Sequence, residues 1–162
     1  MNRAHVFDLT NVDAAAITDF IGSVVVDEDG AQWIYVKNNS ATTIALYNFA
    51  TQDTTSTTFG VAVINPTSGA MEKIIGVVQH TAILQNEGGW VKRTGDVELS
   101  VYNAGALSVG TSVKPSAATA GIGITQTADL VSVGYLVDAH SVATAAETLT
   151  VRSSLVPFAA PR

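Results

Sequence analysis

From Ile21 onward the apolar positions of this chain recur with a period of two. Ile21 to Val26 (IGSVVV) and Gln32 to Lys37 (QWIYVK) flank Asp27-Glu28-Asp29-Gly30. An Asp-Gly step between β-rich runs predicts a hairpin, because glycine accepts the positive φ that such turns demand. In the second run Trp33, Tyr35 and Lys37 fall on one face and Ile34 and Val36 on the other. Further strands are predicted at Thr43 to Phe49, Phe59 to Ile64, Lys73 to Val78, Gly89 to Arg93, Val97 to Tyr102, Ser112 to Lys114, Val131 to Val137 and Thr148 to Arg152. Turn-forming clusters separate them: NPTSG, QNEGG, YNAG and ATAGIG. Val97, Leu99 and Val101 alternate with Glu98, Ser100 and Tyr102, which gives that strand one dry and one wet face. Many short strands divided by turns predict an all-β fold, a sandwich or a barrel-like domain.

Before Ile21 the pattern differs. Leu9, Val12, Ala16, Ile17 and Phe20 fall near helical spacing. Thr10 or Asn11 can cap such a helix, with Asp13 in its first turn. Residues 1–20 are therefore read as either a short helix or an N-terminal arm with one helical turn. Residues 21–155 form the β domain, and 156–162 (VPFAAPR) a C-terminal tail. Ile75-Gly76-Val77-Val78 followed by Trp90-Val91-Lys92-Arg93 is echoed by Val133-Gly134-Tyr135-Leu136 followed by Leu149-Thr150-Val151-Arg152. Each is a strand with a central glycine, a loop, and a strand ending in Arg. The β domain is thus either one unit or two related lobes, 21–94 and 95–155.

Composition changes this picture in one respect. Only 14% of the 162 residues are Asp, Glu, Lys or Arg, while 47% are apolar; charged residues make up about 25% of ordinary soluble domains. No run of about 18 apolar residues suggests a membrane span, and the opening MNRAHVFDLTNVD lacks the apolar core of a signal peptide. A surface this poor in charge, coated instead with Ser and Thr, resembles buried interface. The net charge of −6 and the scatter of the eight Lys and Arg residues disfavour nucleic-acid binding, which needs clustered cations.

Candidate chemistry is sparse. With no cysteine, thiolate nucleophiles, disulfides and zinc-thiolate sites are excluded. His5, His80 and His140 form no metal-binding spacing. Asp138, His140 and Ser141 invite a triad, but Ser141 would point to the opposite face of a strand and no nucleophile elbow is present. Asp27, Glu28 and Asp29 match no calcium loop and read as a solvated hairpin tip. Gly121-x-Gly123 lacks the third glycine of a phosphate loop. Asn38-Asn39-Ser40 fits the N-glycosylation pattern. The expectation is a non-enzymatic protein without metal or cofactor. Trp33, Tyr35 and Trp90 are candidate core or subunit-interface anchors, or alternatively a stacking platform for sugar.

From Asn86 to Leu155 the chain runs NEGGWVKRTGDVELSV, then NAGALSVGTSVKPSAATAGI, then VSVGYLVDAHSVATAAETLTVRSSL. Together with the earlier IGSVVVDEDGAQWIYVKNNSA, this resembles the decoration (cement) proteins of tailed-bacteriophage capsids. In that family a GWV strand leads to a Gly-Asp segment, then to a strand with an Ile-Gly-Tyr core. Gly110-Thr111 departs from it by lacking the acid. The resemblance implies a β-tulip or barrel-like fold, often a homotrimer, seated on the outer capsid surface with the major capsid protein as partner. Extended termini then become candidate arms that add strands to a neighbour's sheet. Val6, Phe7, Leu9, Val156 and Phe158 are the candidate capsid or neighbour contacts. The competing readings are a carbohydrate- or receptor-binding module of a tail fibre or spike, and another virion structural protein of the tail or head–tail joint.

Overall fold

The computed structural model describes residues 8–53, 62–64, 74–102, 106–116, 119, 121–126, 133–140 and 146–154. These residues contain strands β1 (Val12–Asp13), β2 (Val24–Val26), β3 (Gln32–Asn38), β4 (Phe49–Gln52), β5 (Ala62–Ile64), β6 (Ile74–Val78), β7 (Gly88–Lys92), β8 (Thr94–Tyr102), β9 (Ser112–Pro115), β10 (Gly123–Gln126), β11 (Gly134–Leu136) and β12 (Ala146–Ser154). One turn of 3-10 helix, Thr18–Phe20, is the sole helical element among them. The protein is all-β, as the two-residue period predicts.

The strands close into two rings. β3 pairs with β7, β7 with β6, β6 with β4, β4 with β5, and β5 returns parallel to β3. In the second ring β8 pairs with β12, β12 with β11, β11 with β9, β9 with β10, and β10 returns parallel to β8. The order of pairing along the chain is the same in both, and so is the register. Trp33↔Lys92, Ile34↔Val91, Tyr35↔Trp90, Val36↔Gly89 and Lys37↔Gly88 correspond to Asp96↔Arg152, Val97↔Val151, Glu98↔Thr150, Leu99↔Leu149 and Ser100↔Thr148. An isolated bridge spans one end of each ring, Ile44 to Ile83 and Leu107 to His140.

Gly76 and Gly134 occupy the same place in the two rings, and a close approach explains both. A Cβ at Gly76 would lie 2.6 Å from the Lys92 carbonyl oxygen, and one at Gly134 would collide with that of Arg152. Lys92 thus corresponds in place to Arg152, one residue away from the match suggested by the Lys-Arg and Val-Arg endings.

Alternation fills the rings. Ile34, Val36, Ile44, Ala50, Ile75, Val78, Ile83 and Val91 form the interior of the first. Val97, Leu99, Val101, Val113, Val133, Leu136 and Val151 form that of the second, joined by Phe49, Ile74 and Val77 from the first ring. Backbone bonds lock the junction: Phe49 N–H donates to Gly121 O (2.7 Å) and Ser100 N–H to Tyr47 O (2.8 Å). The Gln79 amide acts as a one-residue strand, accepting from Glu98 N–H and donating to Glu98 O, both at 2.9 Å.

Of the two readings of the N-terminal segment, residues 8–20 follow the arm with one helical turn: Val12–Asp13 pair with Gly88–Gly89 of β7 and Thr18–Phe20 make the turn. Two expectations differ from what forms. Thr43 to Phe49 is not a continuous strand, because Tyr47 adopts a positive φ of 62° and, before Phe49 opens β4, only Ile44 makes a bridge. β10 begins at Gly123, inside what reads as a turn.

Candidate functional site

The side chains of β3 sort by face as the alternation requires. Ile34 and Val36 point into the ring, while Trp33 and Tyr35 join Trp90 on its outside. That outer face is covered by residues of the chain's own N-terminal segment. Leu9, Phe20, Ile21 and Val25 pack against the three aromatic rings. Tyr35 sits edge-on to Phe20 (6.4 Å between ring centres) and to Trp90 (5.4 Å). Its hydroxyl donates to Asp13 Oδ2 and accepts from the Ile17 N–H at 3.3 Å. Burial, together with the Asp13 carboxylate, pushes the phenol's pKa up. Trp33 stacks on His80 at 5.3 Å, with Lys92 Nζ 5.4 Å from its ring centre.

Trp33, Tyr35 and Trp90 are only 4%, 2% and 7% exposed within a single chain. They are internal anchors, and no ring face is left for sugar to stack on. Leu9 is half-buried on the same cluster. Val6, Phe7, Val156 and Phe158 lie outside the described residues.

The acidic hairpin tip has a structural job. Asp27 accepts from Trp33 Nε1 at 2.8 Å through Oδ2, and from the Asp29 and Ala31 N–H groups (3.1 and 2.8 Å) through Oδ1. Gly30, at φ 82°, completes the turn. Asp27's oxygens therefore organise the loop, and among the described residues no cluster of potential ligands could hold a metal ion. The Trp33 bond, followed by the backbone donors, holds the Asp27 carboxyl below the ordinary carboxylate range. Because the folded-state pKa is the lower one, the stabilisation is present above the unfolded value of 3.8 and is lost as pH falls through the folded value. Asp27→Asn is expected to flatten the pH dependence of stability below about pH 4, read by urea titration with tryptophan emission as probe; an unchanged slope would contradict the assignment.

His140 Nε2 pairs with Glu147, while Asp138 is exposed and Ser141 is outside the described residues. Asn38 is fully buried, its amide donating to Thr42 O and Ile83 O (2.9 and 2.8 Å), so the glycosylation pattern is not presented to a modifying enzyme.

The surface offers apolar side chains instead. Val24 (49%) and Val26 (63%) project from β2, while Val109 (64%) and Tyr135 (45%) project from the second ring. The strand pattern did not single these out, since scattered exposed apolar residues are normal and only their placement makes them informative.

A solved structure resembles this protein in fold. The head fiber gp8.5 N base of bacteriophage phi29 aligns with a TM-score of 0.51 at 10% identity, covering 75% of this chain and 94% of that one. The likeness is one of fold. No family model and no curated protein matches the chain.

Proposed function

We propose that this chain is a structural protein of a phage virion. It sits on the outer capsid surface, binds the major capsid protein and copies of itself, with a homotrimer as the expected assembly, and holds neighbouring capsid subunits together. The observation that carries this reading is the likeness of fold to a phage head-fibre base over three quarters of this chain. The low charge content and the exposed valines and tyrosines support it, since interfaces are depleted in charge and enriched in aromatic anchors. The described ionisable groups support a non-enzymatic role without cofactor: Asp27 builds a turn, Asp96 pairs with Arg152, and His140 pairs with Glu147. In this role the protein touches neither packaged nucleic acid nor membrane.

The mechanism is mechanical. Each contact needs only modest affinity, because many copies engaged across one lattice make loss of the coat slow. Purified protein mixed with expanded capsids of its own phage is expected to bind saturably at a fixed stoichiometry, and no binding to any capsid form would sink the proposal. The nature of the solved neighbour favours a second reading, the base of a head fibre. Both readings require capsid binding. Decorated capsids that resist heat better than bare ones support the clamp; equal resistance with saturable binding supports the fibre base.

A further inference from the structure

The equivalence of the two rings identifies a surface whose counterpart is already an interface. In the first ring the outward face at Tyr47, Asn48, Phe49, Val77 and Gln79 docks on the second ring. The registers Phe49↔Val77 and Ser112↔Tyr135 place Tyr135 where Val77 stands. The bonds Tyr47 N–H to Val78 O and Gly110 N–H to Leu136 O place Gly110 where Tyr47 stands. Val77 is 1% exposed and Tyr135 45%. By the same registers the buried Ser112 stands where Phe49 does, so on the corresponding face of the second ring it is Tyr135 that lies open, with the exposed Val109 next to Gly110 in the chain.

What this face meets on the receiving side is also legible. Glu98 takes its junction bonds from Gln79; its equivalent, Tyr35, takes them from Gly22 and Ser23 at the start of β2. The β2 segment thus fills at the first ring the place that the first ring fills at the second. Among the described residues nothing pairs with the outer edge of β2. Ser23 O and Asp27 N–H bond toward the β3 side, so the intervening Val24 and Val26 turn their N–H and C=O groups outward. A groove of about 630 Å³ lined by Leu9, Val25, Val26, Asp27 and Glu28 runs beside them.

The geometry points to a head-to-tail contact between copies of this chain, in which Tyr135 and Val109 of one copy dock on Val24, Val26 and the groove of the next. Such a heterologous contact closes into a ring when its rotation permits. It names the surface for the self-association proposed above, and rests on that reading.

Size exclusion with light scattering on the wild type, Tyr135→Lys and Val26→Lys tests it, with unfolding midpoints alongside. Both positions are exposed, so each variant is expected to keep its midpoint while the dissociation constant of the oligomer rises about tenfold or more. An oligomer that survives both substitutions overturns this contact and leaves self-association standing. A wild type that stays monomeric at every concentration overturns both. Should a lysine variant lose its fold, the chain's lack of cysteine supplies the second measurement. Val26→Cys and Tyr135→Cys proteins, mixed and oxidised, are expected to give a dimer band far stronger than either gives alone; no enrichment on mixing overturns the contact.

Discussion

Phe49→Ala is expected to lower stability by about 3–5 kcal/mol, the range for emptying a buried aromatic site. Phe49 opens β4 in the first ring, yet its side chain lies in the cluster formed by Val97, Leu99, Val101 and Val113 of the second. It is 1% exposed, and its own N–H is held by Gly121 O. Little can collapse into the space, because the surrounding residues are strand side chains fixed by two ladders. The loss falls on the junction and so on both rings. Urea unfolding followed by far-UV circular dichroism is expected to show one transition in the wild type, moved to lower urea in the variant. If separate transitions appear, with the earlier one belonging to the first ring, the junction is the weak point of the fold. A change below about 1 kcal/mol would mean that the ring is not buried between them. Ile83→Ala is the control: Ile83 lies in the first ring's own cluster, so its cost of about 2–5 kcal/mol carries no tendency to part the rings.

The same register explains what the sequence made legible and what it hid. The alternation of Val97, Leu99 and Val101 is written in consecutive residues, and those side chains do face inward. The Asp27 to Gly30 hairpin is equally local, since its turn is built from bonds spanning four residues or fewer. Long-range pairing is another matter. Residues 9–20 carry a spacing compatible with a helix, but β7 offers Val12–Asp13 an open edge and the aromatic face offers Leu9 and Phe20 a surface. Both lie far along the chain, so tertiary contact overrode local preference. The aromatic anchors could be read as core or interface, because burial of Trp33 and Trp90 depends on the covering segment and not on their own strands. Tyr135 was invisible as a site for a related reason. Its meaning comes from standing where Val77 stands, which only the ladder reveals.

That covering segment should also be the easiest part of the fold to dislodge, and Gly88 is where to do it. Gly88→Ala is expected to cost about 1–3 kcal/mol, as overpacking does, and to loosen residues 8–26 while both rings persist. A Cβ at Gly88 would overlap the Tyr35 hydroxyl and lie 2.8 Å from Ala16 Cα. The phenol cannot simply swing aside, because Phe20 and Trp90 pack edge-on against it and Asp13 holds its hydroxyl. Ala16 has no freedom either, since its N–H is bound to Asn86 O at 3.1 Å. The segment must lift, exposing Trp33 and Trp90. Their emission is expected to shift to longer wavelength, and protease cleavage to appear within residues 8–26, while far-UV circular dichroism changes little. Tyr35→Phe separates the two parts of the effect: it removes the bond to Asp13 but leaves Gly88 unobstructed, so it should destabilise by about 1 kcal/mol without the emission shift. Equal behaviour of the two variants would mean that the hydroxyl bond, and not the close approach at Gly88, holds the segment down. Lifting the segment also removes β2 from its place beside β3, so Gly88→Ala is expected to weaken self-association more than its cost in stability alone would suggest.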